Sequence, residues 1–415
     1  MNELTDSLKN DLQRYAELII RSGCNLRPGQ ELLLSASTDI CEFARLVVAE
    51  AYKQGARRVT VRFADEKISR LHYENCALEI FEQFPEWQAL LSNSMAEKGA
   101  AVLTIISEDP LALVGIEQNK LVAHSRSSHE ACKPFYNAIN NGSLVWCIVG
   151  AAAPAWASHV FPSLPIEEAM DKLWRAILSS VFVDTEDPLA AWEQHRRSFN
   201  ERKAWLNSQG FDRLHYVSGL GTNLVVGLNR KGLWQGGGDV TTDGTEFFPN
   251  MPTEEIFTSP NRLRADGIVY SSMPLVENGS LIEDFSITFS EGKVVDCKAR
   301  IGQDVLEAIF TIDDGASRLG ECALVPWTSP IRQSGILFYS TLYDENASCH
   351  LAVGRGFADC YDGGQQMTEE ELEAEGVCKS AAHVDFMIGT EDLSIDGIKP
   401  DGSVLPIFRN GNWAF

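Results

Sequence analysis

Residues 380–397 read Ser-Ala-Ala-His-Val-Asp-Phe-Met-Ile-Gly-Thr-Glu-Asp-Leu-Ser-Ile-Asp-Gly, and the run His383-Val-Asp385-Phe-Met-Ile388 within them predicts a buried strand. Because side chains along a strand alternate between two faces, His383 and Asp385 point to the same face. An imidazole beside a carboxylate on a rigid strand suits a divalent metal ion. The pair alone also fits an ordinary hydrogen-bonded core pair, so the rest of the chain has to decide between the two.

The composition predicts a cytoplasmic globular protein of two domains. The chain has 415 residues, 44% of them hydrophobic, and a formal net charge of −23, which argues against a nucleic-acid partner. The N-terminus shows no signal-peptide pattern, and the longest apolar run, Leu144 to Ala157, contains Pro154 and is shorter than the roughly 20 residues of a membrane-spanning helix. The ten cysteines are scattered without a Cys-x-x-Cys pair, as expected for reduced thiols.

Residues 1–185 are predicted to form an N-terminal α/β domain. Short apolar strands alternate with amphipathic helical segments, a pattern typical of a mostly parallel sheet with helices on its faces. No Gly-x-Gly-x-x-Gly or phosphate-binding loop follows the first strand. The predicted strands are Glu31–Ala36, Arg58–Phe63, Ala101–Ile106 and Leu144–Val149.

Residues 186–415 are predicted to form a C-terminal α+β domain that is rich in antiparallel strands and carries the metal site. Two helical segments between Pro165 and Asn207 lead into this domain. After Gly210, short β-like runs are separated by Gly, Asn and Asp turns, and Glu291-Gly292 between two such runs indicates a hairpin.

Four segments of the second domain place metal-ligand side chains in apolar settings. Charged groups in such settings are costly unless they are paired or bind a metal, so one carboxylate-rich metal centre explains all four. The segments are Asn250–Pro260 with Glu254 and Glu255, Leu319–Pro326 with Glu321, Leu342–Gly354 with Asp344, Glu345 and His350, and His383-Val-Asp385.

This set exceeds what one tetrahedral zinc ion needs. It suits two divalent ions about 3.5–4 Å apart and joined by a bridging carboxylate, as in aminopeptidases. Such ions polarise a scissile carbonyl and lower the pKa of a water to about 7. A carboxylate that is not a ligand then takes the proton from the water and passes it to the leaving amine.

At the level of whole motifs, the chain resembles the thermophilic aminopeptidases T and S, metallopeptidase family twenty-nine. The resemblance spans the chain and is strongest between Leu214 and Trp413. It implies a metal-dependent exopeptidase that releases N-terminal residues from peptides with broad preference, and a homodimer of two-domain subunits. The motifs that carry it are Asn-Met-Pro-Thr-Glu-Glu-Ile-Phe-Thr-Ser-Pro (250–260), Leu-Gly-Glu-Cys-Ala-Leu-Val-Pro (319–326), Asp-Glu-Asn-Ala-Ser-Cys-His-Leu-Ala (344–352) and His-Val-Asp-Phe-Met-Ile-Gly (383–389).

Carried over by residue, the resemblance implies that two divalent ions per subunit, zinc, cobalt or manganese, are bound by Glu255, Glu321, His350, His383 and Asp385. Glu255 is preferred to Glu254 because its spacing to Glu321 fits the family pattern. The catalytic residues are predicted to be Glu321, Glu345 and Tyr361, with Glu345 as the carboxylate that assists the water.

Tyr361 enters this set because the chain departs from the family at one position. The family usually has a tyrosine seven residues after the first ligand histidine, where its phenol donates to the metal centre or the oxyanion. Phe357 stands there instead and cannot donate, whereas Tyr361, four residues on, offers a phenol that could replace it.

Two other functions stay open at this point. A dihydroxypyridine dioxygenase also resembles the family, and His350, His383 and Asp385 would form the facial triad of a mononuclear iron enzyme. Retention of Glu255 and Glu321 counts against it, because one iron ion does not need them. The replacement by Phe357 also raises the possibility of a non-catalytic peptide-binding protein.

Overall fold

The computed structural model describes residues 6–107, 109–277 and 280–415. A short π-helical turn, Ile19–Gly23, continues the first α-helix. The α-helices, numbered in chain order, are α1 (Asp6–Leu18), α2 (Cys41–Lys53), α3 (Glu66–Asn75), α4 (Leu78–Phe81), α5 (Glu86–Glu97), α6 (Gln118–Ala131), α7 (Lys133–Asn140), α8 (Pro154–Val160), α9 (Ile166–Ser180), α10 (Pro188–Gln209), α11 (Gln303–Ile309), α12 (Pro330–Ser334), α13 (Thr341–Asp344) and α14 (Glu369–Ala374).

The strands are numbered in the same way. They are β1 (Glu31–Ser37), β2 (Arg58–Ala64), β3 (Ala101–Ile106), β4 (Trp146–Gly150), β5 (Arg213–Val217), β6 (Asn223–Leu228), β7 (Gln235–Gly236), β8 (Asp239–Val240), β9 (Glu246–Phe247), β10 (Asn250–Met251), β11 (Ile256–Thr258), β12 (Pro260–Tyr270), β13 (Leu275–Glu277), β14 (Ser280–Ser290), β15 (Lys293–Ile301), β16 (Leu319–Leu324), β17 (His350–Gly354), β18 (His383–Met387), β19 (Ser394–Ile398), β20 (Val404–Arg409) and β21 (Asn412–Trp413).

The chain divides into two compact units. The described residues of Met1–Arg196 form the first unit together with Gly238–Pro252, and Arg197–Gly237 with Thr253–Phe415 form the second. The division falls inside α10 rather than before it, and the sequence did not predict that 238–252 would join the first unit. The division of the chain into independently folding domains at residues 185 and 186 stays a prediction.

The first unit contains the expected parallel sheet. Its strand order is β10-β4-β3-β1-β2, and every pairing is parallel. The central strands β1 and β3 are nearly continuous apolar runs, since helices cover both faces of such a sheet. The predicted α/β class of this part of the chain is confirmed.

The second unit contains two antiparallel sheets. One has the order β18-β17-β16-β11-β7, and the other follows β13-β14-β12-β6-β5-β19-β20-β21, with β15 paired to β14. Side chains from both sheets share one buried core, in which Phe285 of β14 lies against Phe386 of β18. The predicted hairpin joins β14 to β15, and both turn residues have positive φ, 51° at Glu291 and 78° at Gly292. The predicted antiparallel, β-rich class is confirmed as well.

Candidate metal centre

The smaller antiparallel sheet has one apolar face and one face that carries metal-ligand side chains. The apolar face belongs to the core of the second unit. Because side chains alternate along each strand, the residues between the core residues point to the opposite face. The core residues of these strands are Ile256, Leu319, Cys322, Leu324, Leu351, Val353, Val384 and Phe386.

The strand register brings the predicted ligands together on that opposite face. Glu321 lies directly across from Ala352, which lies across from Asp385 on the next strand. One step along the same face, His350 lies across from Ala323. Residues that face one another across antiparallel strands share a face, so ligands far apart in sequence become neighbours.

A bulge in β16 gives Glu321 its orientation. The register with β17 shifts between Leu319 and Glu321, so Leu319 enters the core while Glu321, two residues later, points to the other face. Gly320 lies within the bulge, and a Cβ atom there would come within 2.3 Å of the Gly354 carbonyl oxygen. This close approach of the two backbones requires glycine.

The ligand atoms form two groups that share Glu321. Glu255, Glu321 and His350 form one group, Glu321, His383 and Asp385 form the other, and within each group one possible ligand atom per residue lies within 4.8 Å of the others. His350 Nε2 is 3.3 Å from Glu255 Oε2. His383 Nε2 is 3.3 Å from Glu321 Oε2 and 3.4 Å from Asp385 Oδ1.

Hydrogen bonds fix the orientation of both imidazoles. His350 Nδ1–H donates to the Ser348 carbonyl oxygen at 3.1 Å, and His383 Nδ1–H donates to that of Arg355 at 2.7 Å. Both Nε2 atoms therefore face the carboxylates, as in protein metal sites whose histidines donate the other ring N–H to an acceptor.

The residues present fit a cation site. Asp385 Oδ1 is buried and, although His383 Nε2 lies 3.4 Å away, it accepts no well-formed hydrogen bond from any described residue, so a cation would satisfy it. The side chains at the centre of the face, Ala323 and Ala352, are fully buried and small, which leaves room between the ligands. The open side of the group is at His383 and Asp385, whose side chains keep 21% and 15% of their surface exposed.

The charges in the cluster shift the pKa of each imidazole. Burial alone lowers the pKa of His350, but the neighbouring Glu255 carboxylate reverses this effect and raises it well above its usual range. His383 behaves in the same way, and Asp385 and Glu321 raise its pKa to about 10. Burial raises the pKa of Glu321 to about 7, against the effect of His383. The cluster thus concentrates negative charge and favours cations.

The remaining predicted residues lie in different surroundings. Glu345 belongs to neither group, yet its carboxylate is close enough that burial, followed by the charge of Glu255, raises its pKa well above the usual range. Glu254 does not lie in the ligand groups: its side chain is buried, and its backbone N–H donates to Asn346 Oδ1 at 2.7 Å. The structure therefore brings Glu255, and not Glu254, to His350.

Tyr361 contacts residues outside the ligand groups. Its hydroxyl donates to Glu375 Oε2, and its ring packs with Leu372 and Val377. Phe357 instead lies at the site, with its ring centroid 5.1 Å from that of His383. The contacts of Tyr361 do not support the replacement that the sequence suggested.

Two residues near the centre were missed by sequence reasoning. Asn346, fully buried, donates through Nδ2 to Glu345 Oε1 at 3.4 Å and accepts from the backbone of Glu254. Glu277 of β13 lies close enough to the centre that burial, followed by the Asp385 charge, raises its pKa. The only sequence feature that points to Asn346 is its position directly after Glu345 in one of the family motifs. No sequence feature points to Glu277.

A fold of this kind, with imidazoles and carboxylates gathered on one sheet face, defines a metal-binding enzyme. The chain matches the family described as thermophilic metalloprotease (M29) over residues 8–413. It is 44% identical to aminopeptidase AmpS of Bacillus subtilis, an alignment that covers 99% of this chain and 100% of the relative. The chain belongs to the thermophilic metalloprotease (M29) family, and the predicted class of enzyme, a metalloaminopeptidase, is confirmed.

Solved structures agree with this assignment. Wild-type AmpT from Thermus thermophilus superposes with a TM-score of 0.92 at 39% identity, covering 98% of this chain and 100% of the other. A 2,5-dihydroxypyridine dioxygenase from Pseudomonas putida superposes with a TM-score of 0.50 at 10% identity, covering 99% of this chain and 98% of the other. At that identity the second likeness shows the fold alone. Among the described residues, no helix is long and apolar enough to cross a membrane.

Proposed function

We propose that the chain is an aminopeptidase that hydrolyses the N-terminal peptide bond of peptides at a centre of two divalent metal ions. One observation carries the proposal: Glu321 belongs to both candidate ligand groups, which supports a carboxylate shared by two ions. The names of the relatives support the exopeptidase activity, and the family supports a metal.

Each residue has a distinct role in this proposal. Glu255 and His350 would hold one ion, His383 and Asp385 would hold the other, and Glu321 would be shared by the two. When bound, such ions polarise a carbonyl and make a water more acidic. Zinc, cobalt and manganese all suit this mixture of imidazole and carboxylate ligands.

Proton transfer is assigned to Glu345. Its carboxyl lies beside the ligand groups without belonging to them, and cations held there would lower its raised pKa, so that the ionised group would be available to take a proton from the attacking water. The same carboxyl then gives that proton to the leaving amine, as general acid–base catalysis requires. The hydrogen bond from Asn346 Nδ2 to Oε1 orients the carboxylate for this transfer.

The proposal also includes the oligomeric state and the compartment of the protein. The protein acts as a homodimer, by resemblance to its family. It works in the cytoplasm, which is supported by the cysteines: all ten lie among the described residues and are free thiols, as is typical of a reducing compartment.

The iron dioxygenase and the non-catalytic binding protein are less well supported. A facial triad needs only His350, His383 and Asp385, yet Glu255 and Glu321 lie against the two imidazoles. Loss of a phenol at Phe357 removes one donor, which costs on the order of 10²–10³ in rate and is compatible with residual catalysis.

The test is hydrolysis of leucine p-nitroanilide and of free tripeptides by the purified protein, first metal-free and then with Zn²⁺, Co²⁺ or Mn²⁺. We expect metal-dependent release of the N-terminal residue and two ions bound per chain, counted by elemental analysis. Absence of release with every metal would refute the aminopeptidase.

Ligand variants test the dinuclear arrangement without relying on activity. Since Glu255 and Asp385 each belong to one group, Glu255→Gln and Asp385→Asn should each weaken binding of one ion and leave the other. Glu321→Gln should weaken both, because Glu321 is shared. Titration calorimetry distinguishes these outcomes, and one full-affinity ion in Glu321→Gln would contradict the bridge.

A further inference from the structure

Two aromatic rings border the open side of the metal centre. Phe257 of β11 lies across from Ala323, so it shares the face that carries Glu321 and His350. The centroid of its ring is 5.4 Å from that of Phe357, which is 5.1 Å from that of His383. Both phenylalanines are half-buried, so each presents part of an apolar ring beside the ligands.

Backbone contacts hold both rings in place. Phe257 lies within a paired strand. Its neighbour Ile256 enters the core, and its neighbour Thr258 donates to the Leu233 carbonyl oxygen at 2.9 Å. The backbone N–H of Phe357 donates to Ser259 Oγ at 2.7 Å, and Ser259 is buried at the end of the same β11 segment. A single short segment therefore fixes both rings relative to the ligand face, which is how binding sites on rigid elements are built.

We propose that Phe257 and Phe357 form the wall against which the side chain of the substrate's N-terminal residue packs, so that the enzyme prefers peptides with an apolar N-terminal side chain. This inference rests on the proposed aminopeptidase function. In that reaction the scissile carbonyl lies at the ligand groups, and the N-terminal side chain branches one bond away from it. The side chain therefore comes within reach of groups that border the ligands.

The chemistry of the wall determines which side chains it favours. A leucine or phenylalanine side chain that packs on the two rings removes apolar surface from water, which is favourable. An aspartate or glutamate side chain would lose hydration without gaining a partner on the rings, and would lie beside the carboxylates of the centre. We therefore expect leucine to be favoured over alanine and glutamate to be disfavoured.

The experiment measures kcat/KM for leucine, phenylalanine, alanine and glutamate p-nitroanilides, which share one leaving group and differ only in the N-terminal residue. We expect the wild type to favour leucine over alanine by about 10-fold or more, a typical effect of a few methylene groups in an apolar site. Phe257→Ser should reduce this ratio to near one. Phe257→Leu, which keeps an apolar side chain, should keep the ratio.

Several outcomes would overturn the inference. A leucine-to-alanine ratio that is unchanged in Phe257→Ser means that the ring does not contact that side chain. If the rings serve only to hold His383, then Phe357→Leu lowers metal affinity and lowers the rates on all substrates in the same proportion. If Phe257→Ser changes only the preference for the residue after the scissile bond, measured with dipeptides, then the wall lies on the other side of that bond.

The design separates this inference from the proposed function. A wild type that hydrolyses no substrate with any metal refutes the aminopeptidase and the wall together, whereas hydrolysis with a flat preference refutes only the wall. Phe63→Ala, at an exposed phenylalanine of β2 in the first unit, is the matched control and should leave every rate unchanged. Metal content of each variant, measured by elemental analysis, confirms that the centre is intact.

Discussion

Asn346 joins the two chain segments that carry Glu254–Glu255 and Glu345, and its replacement by alanine should disable the enzyme. Its Oδ1 accepts from the Glu254 backbone N–H at 2.7 Å. Its Nδ2 donates to the Leu342 carbonyl oxygen at 2.9 Å and to Glu345 Oε1 at 3.4 Å. The side chain is fully buried, so water does not replace these partners in the native structure.

The expected cost follows from these contacts. Asn346→Ala removes the acceptor for a buried N–H and the donor to a buried carbonyl, each worth about 1–3 kcal/mol when left unsatisfied. The free energy of unfolding should therefore fall by about 2–5 kcal/mol. Because a shift of about 1 Å at a catalytic group costs about 10² in rate, kcat should fall by a factor of that order as Glu345 loses its support.

The assay combines urea denaturation with steady-state hydrolysis of leucine p-nitroanilide under conditions in which the variant is folded. Asn207→Ala is the control, because Asn207 also accepts from one backbone N–H and donates to one carbonyl oxygen, both of Trp234, but is exposed at the surface. The control should lose less stability than Asn346→Ala and keep kcat. If Asn346→Ala loses stability but keeps kcat as well, the orienting role of Asn346 is refuted.

The charged isostere provides a second test of the same reasoning. Asn346→Asp keeps an oxygen for the Glu254 N–H but replaces the amide donor with a carboxylate oxygen, which faces the Leu342 carbonyl and the Glu345 carboxylate. Two adjacent carboxylates repel each other, so the kcat of Asn346→Asp should be no higher than that of Asn346→Ala. Recovery of the wild-type rate in Asn346→Asp would show that the donor to Glu345 is not needed.

The remaining predictions concern the metal centre itself. Glu321→Ala or His383→Ala should abolish activity while circular dichroism and the elution volume on gel filtration stay unchanged, and wild-type activity in either purified variant would remove the assigned centre. Phe357→Tyr should raise kcat if the missing phenol limits the rate, since one oxyanion donor is worth on the order of 10²–10³, and an equal or lower rate would count against that explanation. Ala352→Leu should prevent metal binding, because this fully buried side chain lies directly between Glu321 and Asp385 in the register, and Ala352→Gly is the control that should keep the metal. Divalent ions should raise the melting temperature of chelator-treated protein by binding the native state alone, and a melting temperature independent of metal would contradict a site made of these ligands.

Local patterns of the sequence were sufficient for much of the fold. Strands alternating with helices predicted the parallel sheet of the first unit, and turn residues between short apolar runs predicted the antiparallel second unit. The period of two placed His383 and Asp385 on one face. The four long motifs identified the family, because they fix residue types in a set order along the chain.

The tertiary structure alone decided how the parts of the site come together. Periodicity shows which residues of one strand share a face, but not which residue of a distant strand lies opposite them. The pairing of Glu321, Ala352 and Asp385 across three strands depends on register, and the orientation of Glu321 depends on a one-residue bulge at Gly320. Neither feature leaves a periodic signal.

Contacts between distant residues settled the other questions. Glu254 and Glu255 are neighbours with the same chemistry, and only the packing buries one and turns the other to His350. The hydroxyl of Tyr361 donates to Glu375, a residue outside the ligand groups. The sequence by itself thus determined most of the elements, the family and a set of candidate ligand residues, whereas the tertiary structure decided their arrangement, because register and packing depend on contacts between residues far apart in the chain.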